Sequence, residues 1–314
     1  MYEGIEDIYR LLDAGRLKEA LTQLQAISSQ TNQWTLRNQI ESALMSYGYM
    51  LQYAQQGVDD PNRRSFYQQT LRTAYELTDI TNVSLMAQKT SGTFYDRIRT
   101  FAIQPSKTYA ELQLQLETYT EDISTVPLLY HDEKRRQAET NKISQAHESV
   151  LTELFDKTWI TVCWTEVEAK EAIALLHSVL VNANDLAIMV SAATLSLIRV
   201  FDSKKFSFLL EAYKYDNLQV SQRAIVGIVI ILSKHEKRIR LYPQLLSRIS
   251  LLCEEEDFRK NLYTIQMQLL ITRETAKIDK KMREEIIPEM IKGSKKLNNP
   301  KFRFEESEDA EDRN

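Results

Sequence analysis

A chain of 314 residues is long enough for two ordinary domains or for one long array of repeats. Seven glycines and six prolines are too few for a β-sandwich or a glycine-rich nucleotide-binding fold, and frequent Leu, Ala, Gln, Glu, Lys and Arg favour helix. The formal net charge of −4 is too small to imply a class of partner.

The cellular compartment is suggested by the cysteines and by the lack of apolar runs. Cys163 and Cys253 lie in apolar helical contexts and indicate reduced, buried thiols in an intracellular protein. The acidic start, Met1 to Asp7, has no apolar core of a secretory signal. No apolar run reaches the roughly 18 residues that a membrane span needs. We therefore predict a cytoplasmic protein with no membrane partner.

Apolar residues spaced three and four apart predict a series of helices in the first third of the chain. Gly15 supplies a turn between two such stripes, and Gly57 ends a longer one. The predicted helices are a hairpin over 3–29, a helix over 33–56, a helix from Asp60-Pro61 to Ile80 and a helix over 84–101.

Two capping boxes mark helix starts in the middle of the chain. Thr108 with Glu111 and Thr165 with Glu168 have the required spacing. The helices that they open are predicted over 108–123 and 165–180. Between them, Pro127 is expected to end one section, and a charged helix follows over 131–159. Because its first half is polar on most faces, we expect it to be exposed or to bridge two parts of the molecule.

The stretch from Asn184 to Leu252 has the pattern of two consecutive helical hairpins. Asp185 and Asn217, 32 positions apart, are the predicted N-caps of their first helices. At the same offset Ala192 matches Ala224, and we expect these small residues where successive helices cross. A leucine at Ala224 would then overpack the contact and cost about 1–3 kcal/mol.

Each first helix is followed by a polar break and a second helix, and the breaks fall at 202–204 and 234–236. Pro243 suits the first turn of a helix. The nearly all-apolar run 224–232 is too short to span a bilayer and is predicted to be buried on several sides. Two further helices, 257–275 and 279–296, are expected to form a last hairpin.

Such a hairpin cannot bury its apolar stripe alone, so stacking predicts an all-α superhelix, a solenoid of helical hairpins. The segment from Leu12 to Leu21, with Gly at the turn, resembles the turn and second helix of a tetratricopeptide repeat (TPR). Asp216, Val220, Arg223 and Ala224 resemble the first helix of a HEAT repeat. The whole chain is similar to the amino-terminal part of long tetratricopeptide proteins of Bacteroidetes.

These resemblances imply a scaffold and transfer no catalytic residues. They imply TPR-like hairpins over 1–126 and HEAT-like hairpins over 127–303 that continue the first part. Residues 304–314 contain six acids against one Arg and cannot bury a core, so we expect an acidic disordered tail or linker.

No residue pattern in the sequence points to catalysis or to a cofactor. His131-Asp132-Glu133 is the densest group of possible metal ligands, but acids in the first turn of a helix explain it more simply. Cys163 would be a nucleophile only with a histidine brought beside it by the fold. The four histidines, at 131, 147, 177 and 235, have no paired metal-ligand spacing. We predict no catalytic residue, metal site or cofactor.

The charges cluster more informatively between Arg199 and Arg248, where ten Lys or Arg outnumber four Asp or Glu, a net charge of +6. Such a window attracts phosphates or an acidic protein segment, unless it is an ordinary solvated surface. The leading interpretation is a non-catalytic scaffold that binds a protein or peptide; nucleic-acid binding through 199–248 is the alternative, and the oligomeric state stays open. The predicted contact residues, mostly on second helices of the hairpins, are Lys204, Glu211, Lys214, Arg238, Arg240 and Arg248.

Overall fold

A computed structural model of the chain describes residues 1–103 and 106–288. These residues form thirteen α-helices and no β-strand, which confirms the predicted all-α class. Within them, no helix is both long and apolar enough to cross a membrane. The helices are α1 (Ile5–Asp13), α2 (Leu17–Ser28), α3 (Trp34–Gln55), α4 (Arg63–Lys89), α5 (Thr93–Phe101), α6 (Tyr109–Leu129), α7 (Glu133–Ile160), α8 (Glu166–Leu176), α9 (Ala183–Arg199), α10 (Ser203–Tyr213), α11 (Leu218–Ile239), α12 (Pro243–Glu254) and α13 (Glu256–Lys281), followed by a π-helical segment, Met282–Ile286.

The helices pack mainly against their neighbours in the chain, as the sequence predicts. A compact unit extends from Met1 to Phe258, and a second unit begins at Arg259. The predicted boundary between residues 126 and 127 falls inside α6, which packs along α7.

Short-range capping chemistry fixes several helix starts. Thr108 Oγ1 accepts the N–H of Glu111 at 3.1 Å, and Thr165 Oγ1 accepts that of Glu168 at 3.2 Å. The carboxylate of each glutamate in turn accepts a hydrogen bond from the backbone N–H of its threonine. Both predicted capping boxes are therefore present. Gly15 has φ +73 between α1 and α2, a left-handed conformation that favours glycine.

Asp185 does not cap α9, contrary to the prediction. The helix begins at Ala183, and the side chain of Asn182 accepts the N–H of Asn184 at 3.0 Å. Asp185 lies buried inside the helix, and its Oδ2 is 2.8 Å from Nε2 of His147 on α7. Asn182, Asn184 and Asp185 are all good capping residues. Because the side chain of Asp185 contacts His147 on α7, Asn182 is the residue that caps the helix.

Three predicted helix ends are wrong because the helices continue. α4 passes the predicted end at Ile80, α6 passes Pro127, and α13 passes the gap predicted after residue 275. In α4, the hydroxyls of Thr78 and Thr81 donate to carbonyls four residues earlier at 2.7 Å, so the helix itself accommodates these polar residues. Pro127 lies close to the end of α6, where it removes only one backbone bond. Residues 289–296 of the last predicted helix and the acidic segment 304–314 lie outside the described residues.

Helices α9 and α11 pack side by side, and they run in the same direction because residues 191, 194 and 197 contact residues 223, 227 and 235 in that order. Arg223 Nη1 donates to Ser191 Oγ at 2.8 Å, and these residues are 32 positions apart. Ala192 and Ala224, which match at the same offset in the sequence, are both fully buried. The bond between Ser191 and Arg223 thus joins the two helices at the offset read from the sequence, whereas Thr194 faces Gly227 at an offset of 33.

The amino-terminal helices also contact the end of α11, far away in the chain. Asp79 on α4 accepts Arg238 Nη2 at 2.8 Å and Tyr9 Oη at 2.5 Å. Nearby, Tyr242 Oη donates to Glu76 Oε1 at 3.0 Å. These partners are buried or half-buried, so the cluster holds α1 and α4 against the junction of α11 and α12.

Candidate partner-binding groove

The surface between α9 and α11 contains an open apolar groove, here named the α9/α11 groove. Leu195 and Ile198 on α9 and Val226 and Ile230 on α11 form its floor, and its volume is about 490 Å³. Leu195 is 43 % exposed and Val226 is 39 % exposed. Covering such adjacent apolar side chains gains about 25 cal/mol for each Å² removed from water.

The groove exists because α11 is apolar on more than one face. Ile228 and Ile231 are fully buried, as predicted for the apolar run 224–232. Val226 and Ile230, four residues apart on one face of the helix, remain partly open to solvent although α11 packs on both α9 and α10. The extra apolar face is therefore the surface that α9 and α10 leave uncovered.

Gly227 sets the depth of the groove by letting α11 approach α9. A Cβ atom at Gly227 would lie 2.4 Å from Thr194 Oγ1 and 3.2 Å from Leu209 Cδ1. The hydroxyls of Thr194 and Ser191 are already engaged, donating to the carbonyls of residues 190 and 187 at 2.9 and 2.8 Å. Both hydroxyl donors near the floor are thus used within α9, and Ser191 Oγ also accepts a bond from Arg223.

A second cavity of about 460 Å³, the aromatic socket, continues from the α9/α11 groove and shares Leu195 and Ile198 with it. Phe94, Tyr95 and Trp159 line the socket. The rings of Phe94 and Trp159 meet edge to face with centroids 5.3 Å apart. Together the two cavities form one continuous surface with an aliphatic part and an aromatic part.

Three cations border this surface. Arg223 lines the α9/α11 groove, and Arg199 and Lys234 line the aromatic socket. The guanidinium carbon of Arg199 lies 4.2 Å from the centroid of Phe94, within cation–π range. Among the described residues, no Asp or Glu lines either cavity, and no carboxylate lies within 4.0 Å of Arg199 or Lys234. The surface therefore combines apolar contact area with uncompensated positive charge.

The structure disperses the six predicted contact residues rather than gathering them. Arg248 Nη2 bonds Glu211 Oε2 at 2.8 Å, and these are the two that meet. Lys204 Nζ lies 3.5 Å from Glu166 Oε1, and Arg240, directly after α11, pairs with Glu236 in the last turn of that helix. Lys214 is exposed without a carboxylate partner among the described residues.

Arg238 needs a correction, because it does not lie on the surface. Only 9 % of it is exposed, and its guanidinium bonds Asp79 and lies over the rings of Tyr75 and Phe201. The sequence places Arg238 off the apolar stripe of its helix. The contact with α4, distant in the chain, turns that polar position into an interior one.

Lys205, inside the basic window, also belongs to the core. It is fully buried, and its Nζ donates to Ser196 Oγ at 2.7 Å, to the carbonyl of Thr158 at 3.0 Å and to that of Thr161. Carbonyls at the end of a helix such as α7 lack partners within the helix, and the ammonium group supplies one. Burial lowers the pKa of Lys205 to about 8.

His235 and Cys163 lie in environments that disfavour catalytic chemistry. His235 Nε2–H donates to the carbonyl of Leu197 at 2.9 Å, and burial lowers the pKa of His235 to about 4. Burial likewise raises the pKa of the Cys163 thiol far above its usual range, which suppresses the nucleophilic thiolate. Within the described ranges, no group of three His, Cys, Asp or Glu residues is placed to hold a metal ion.

No protein-family model, curated protein or solved structure matches this chain. The groove is therefore interpreted from its own residues. Sequence reasoning missed Leu195, Ile198, Val226 and Ile230, because apolar residues at helical spacing indicate core before they indicate surface. The sequence did contain one indication of the groove. The apolar run between Arg223 and Lys234 covers more than one face of a helix, so part of it could remain exposed.

Proposed function

We propose that this chain is a non-catalytic α-solenoid scaffold, with TPR-like and HEAT-like hairpins, that binds a protein or peptide partner in the cytoplasm. The observation that carries the proposal is the α9/α11 groove with its adjoining aromatic socket. An exposed apolar surface of this kind, bordered by polar residues, is typical of a protein interaction site. The parallel packing of α9 and α11 at a 32-residue offset supports the repeat architecture.

Extended recognition suits this surface better than a small-molecule pocket would. The groove follows α11 from Gln219 to Ile230 and the socket adds Lys234, a path of about 22 Å at 1.5 Å per residue. Both cavities are open to solvent along this path. A peptide or a helix of a partner can cover such a surface, as in the helix-in-groove mode of recognition.

The nucleic-acid alternative loses support from the ion pairs of the basic window. Five of its ten cations are paired with carboxylates: Lys204, Lys237, Arg238, Arg240 and Arg248. Lys205 is buried as well. Phosphate binding requires cations that are free to replace counterions, so the net charge of the sequence overstates the available positive surface.

An affinity pull-down with the full chain tests the proposal. Bait proteins are the wild type, Val226→Glu in the groove, and Leu246→Glu on α12, a matched control because Leu246 is also 39 % exposed. The extract is treated with nuclease, and circular dichroism confirms that all three baits are folded. We expect proteins that the wild type and Leu246→Glu retain and that Val226→Glu loses. Identical capture by all three baits would contradict a function at this groove.

A further inference from the structure

Resting on that proposed function, we propose that the segment bound in the α9/α11 groove is an acidic amphipathic α-helix. Its apolar face covers the four floor residues, and one large apolar side chain enters the aromatic socket. Its carboxylates meet Arg223 at one end of the surface and Arg199 and Lys234 at the other. The proposal follows from the hydrogen-bonding character of the floor and from the charges at its edges.

The floor favours a helix over an extended peptide because it offers few free hydrogen-bonding groups, and no free hydroxyl donor. Its four side chains are aliphatic, and the Ser191 and Thr194 hydroxyls donate to carbonyls of their own helix. Gln219 and Gln222 also line the groove, but in the first turns of α11, at its end. An extended backbone would leave N–H and C=O groups unpaired against this surface, whereas a helix satisfies its own backbone.

A groove between α3 and α4, of about 660 Å³, is more polar, although Phe66, Leu77 and Ile80 line part of it. Amide and hydroxyl side chains line it, and such groups pair readily with an extended backbone. They are Asn38, Gln39, Ser42, Ser46, Gln69 and Thr73. The contrast within one molecule supports the assignment of a helical ligand to the α9/α11 groove.

The cations determine the sign and spacing of the ligand charges. Arg223 and Lys234 are eleven positions apart on α11, about 16 Å at the helical rise. A ligand helix aligned with α11 spans that distance in three turns, with carboxylates at both ends and apolar residues between them. None of the described residues that line the two cavities is an Asp or Glu, so an acidic ligand gains attraction and a basic ligand meets repulsion.

Two segments of this chain fit the groove less well than a partner helix. Residues 304–314 are acidic but have Phe304 and Ala310 as their two apolar residues, too few for an apolar face that covers the floor. In a second copy of the chain, α13 exposes Tyr263, Met267 and Leu270, but in its last turns, residues 273–281, four Lys or Arg outnumber two Asp or Glu. Like charge at the groove opposes that docking.

Fluorescence anisotropy with designed peptides and the full chain tests the proposal. The probe is a labelled helical peptide of about 15 residues, with leucines at every third or fourth position and glutamates beside them. One control peptide replaces each glutamate with lysine, and another scrambles the same composition so that the leucines form no stripe. We expect the acidic amphipathic probe to bind at least about tenfold more tightly than either control, with the difference from the lysine peptide shrinking at high salt.

Charge reversal in the protein provides the decisive comparison. Lys234→Glu is expected to weaken the acidic probe about fivefold or more and to strengthen the lysine peptide. Lys214→Glu, the same change at an exposed cation outside the two cavities, is expected to alter neither. Val226→Glu should abolish binding of the acidic probe.

Equal binding of the acidic and lysine peptides, or equal effects of Lys234→Glu and Lys214→Glu, would overturn the acidic-helix proposal. So would binding of the scrambled peptide as strong as that of the probe. A Val226-dependent partner in the pull-down would then leave the scaffold function standing with a ligand of different chemistry. Dimerisation that depends on Val226, measured by sedimentation, would assign the groove to a second copy and refute the proposal.

Discussion

Replacing Gly227 with alanine measures how closely α11 approaches α9. In most helix interiors this change is stabilising, because glycine is about 1 kcal/mol less favourable than alanine there. At Gly227 the new Cβ would lie 2.4 Å from Thr194 Oγ1 and 3.2 Å from Leu209 Cδ1. Real Cβ atoms do not approach other atoms as closely as 2.4 Å, so the helices or the threonine must move.

The expected magnitude follows from two opposing effects. Overpacking of a close contact costs about 1–3 kcal/mol, and rotation of Thr194 would also break its 2.9 Å bond to the carbonyl of Val190. Setting that cost against the propensity gain of about 1 kcal/mol, we expect Gly227→Ala to destabilise the protein by about 1 kcal/mol. Gly48, in α3, has no atom within 4 Å of a Cβ, so Gly48→Ala should stabilise by about 0.5–1 kcal/mol.

Urea unfolding of the full chain, followed by the helical circular dichroism signal, measures both changes. The double variant Thr194→Ala/Gly227→Ala removes the clashing side chain and should recover most of the loss, so the two substitutions are non-additive. Stabilisation by Gly227→Ala equal to that by Gly48→Ala would refute the close approach of the two helices. Additive effects in the double variant would show that Thr194 is not the obstacle.

Three further substitutions test the buried polar contacts, each by urea unfolding. Arg238→Ala leaves Asp79 buried without its charged partner and should cost about 3–5 kcal/mol. Arg240→Ala, at an exposed pair, should change stability by less than about 1 kcal/mol, and similar effects of the two changes would mean that Arg238 is a surface residue. Lys205→Met leaves the carbonyls at the end of α7 without their hydrogen-bond donor and should lower the free energy of unfolding by at least about 2 kcal/mol. An unchanged free energy of unfolding would contradict the contact. The pKa of His235 is lower in the folded protein, so as the pH falls the imidazole of the unfolded chain is protonated first. The free energy of unfolding therefore decreases between about pH 6.5 and about pH 4, by up to about 3 kcal/mol. His235→Gln keeps a hydrogen-bond donor and should remove that part of the pH dependence; an unchanged slope would contradict it.

Helix starts were easier to predict from the sequence than helix ends. A capping box is a bond between residues three apart, so the two threonines Thr108 and Thr165 determine their helix starts without help from the rest of the fold. A helix end has no comparable local signal unless a glycine follows the last helical residue. The predicted end at Ile80 failed because α4 continues through threonines that bond within the helix.

The candidate site was the least predictable feature, because exposure depends on which faces the neighbouring helices cover. Val226 and Ile228 have nearly the same chemistry and lie two positions apart, yet one is 39 % exposed and the other fully buried. Periodicity cannot distinguish them, since the surrounding run is apolar on every face. The same limit applies to Arg238, whose burial depends on a carboxylate 159 positions away.

The sequence by itself determined the all-α class and the helix starts that have side-chain caps. Composition and side-chain caps act locally, so they need no knowledge of distant segments. The tertiary structure alone decided which cations stay at the surface and which apolar residues form the α9/α11 groove. Those properties depend on which groups meet in space, because a charge is neutralised and an apolar face is covered only by the partner that packs against it.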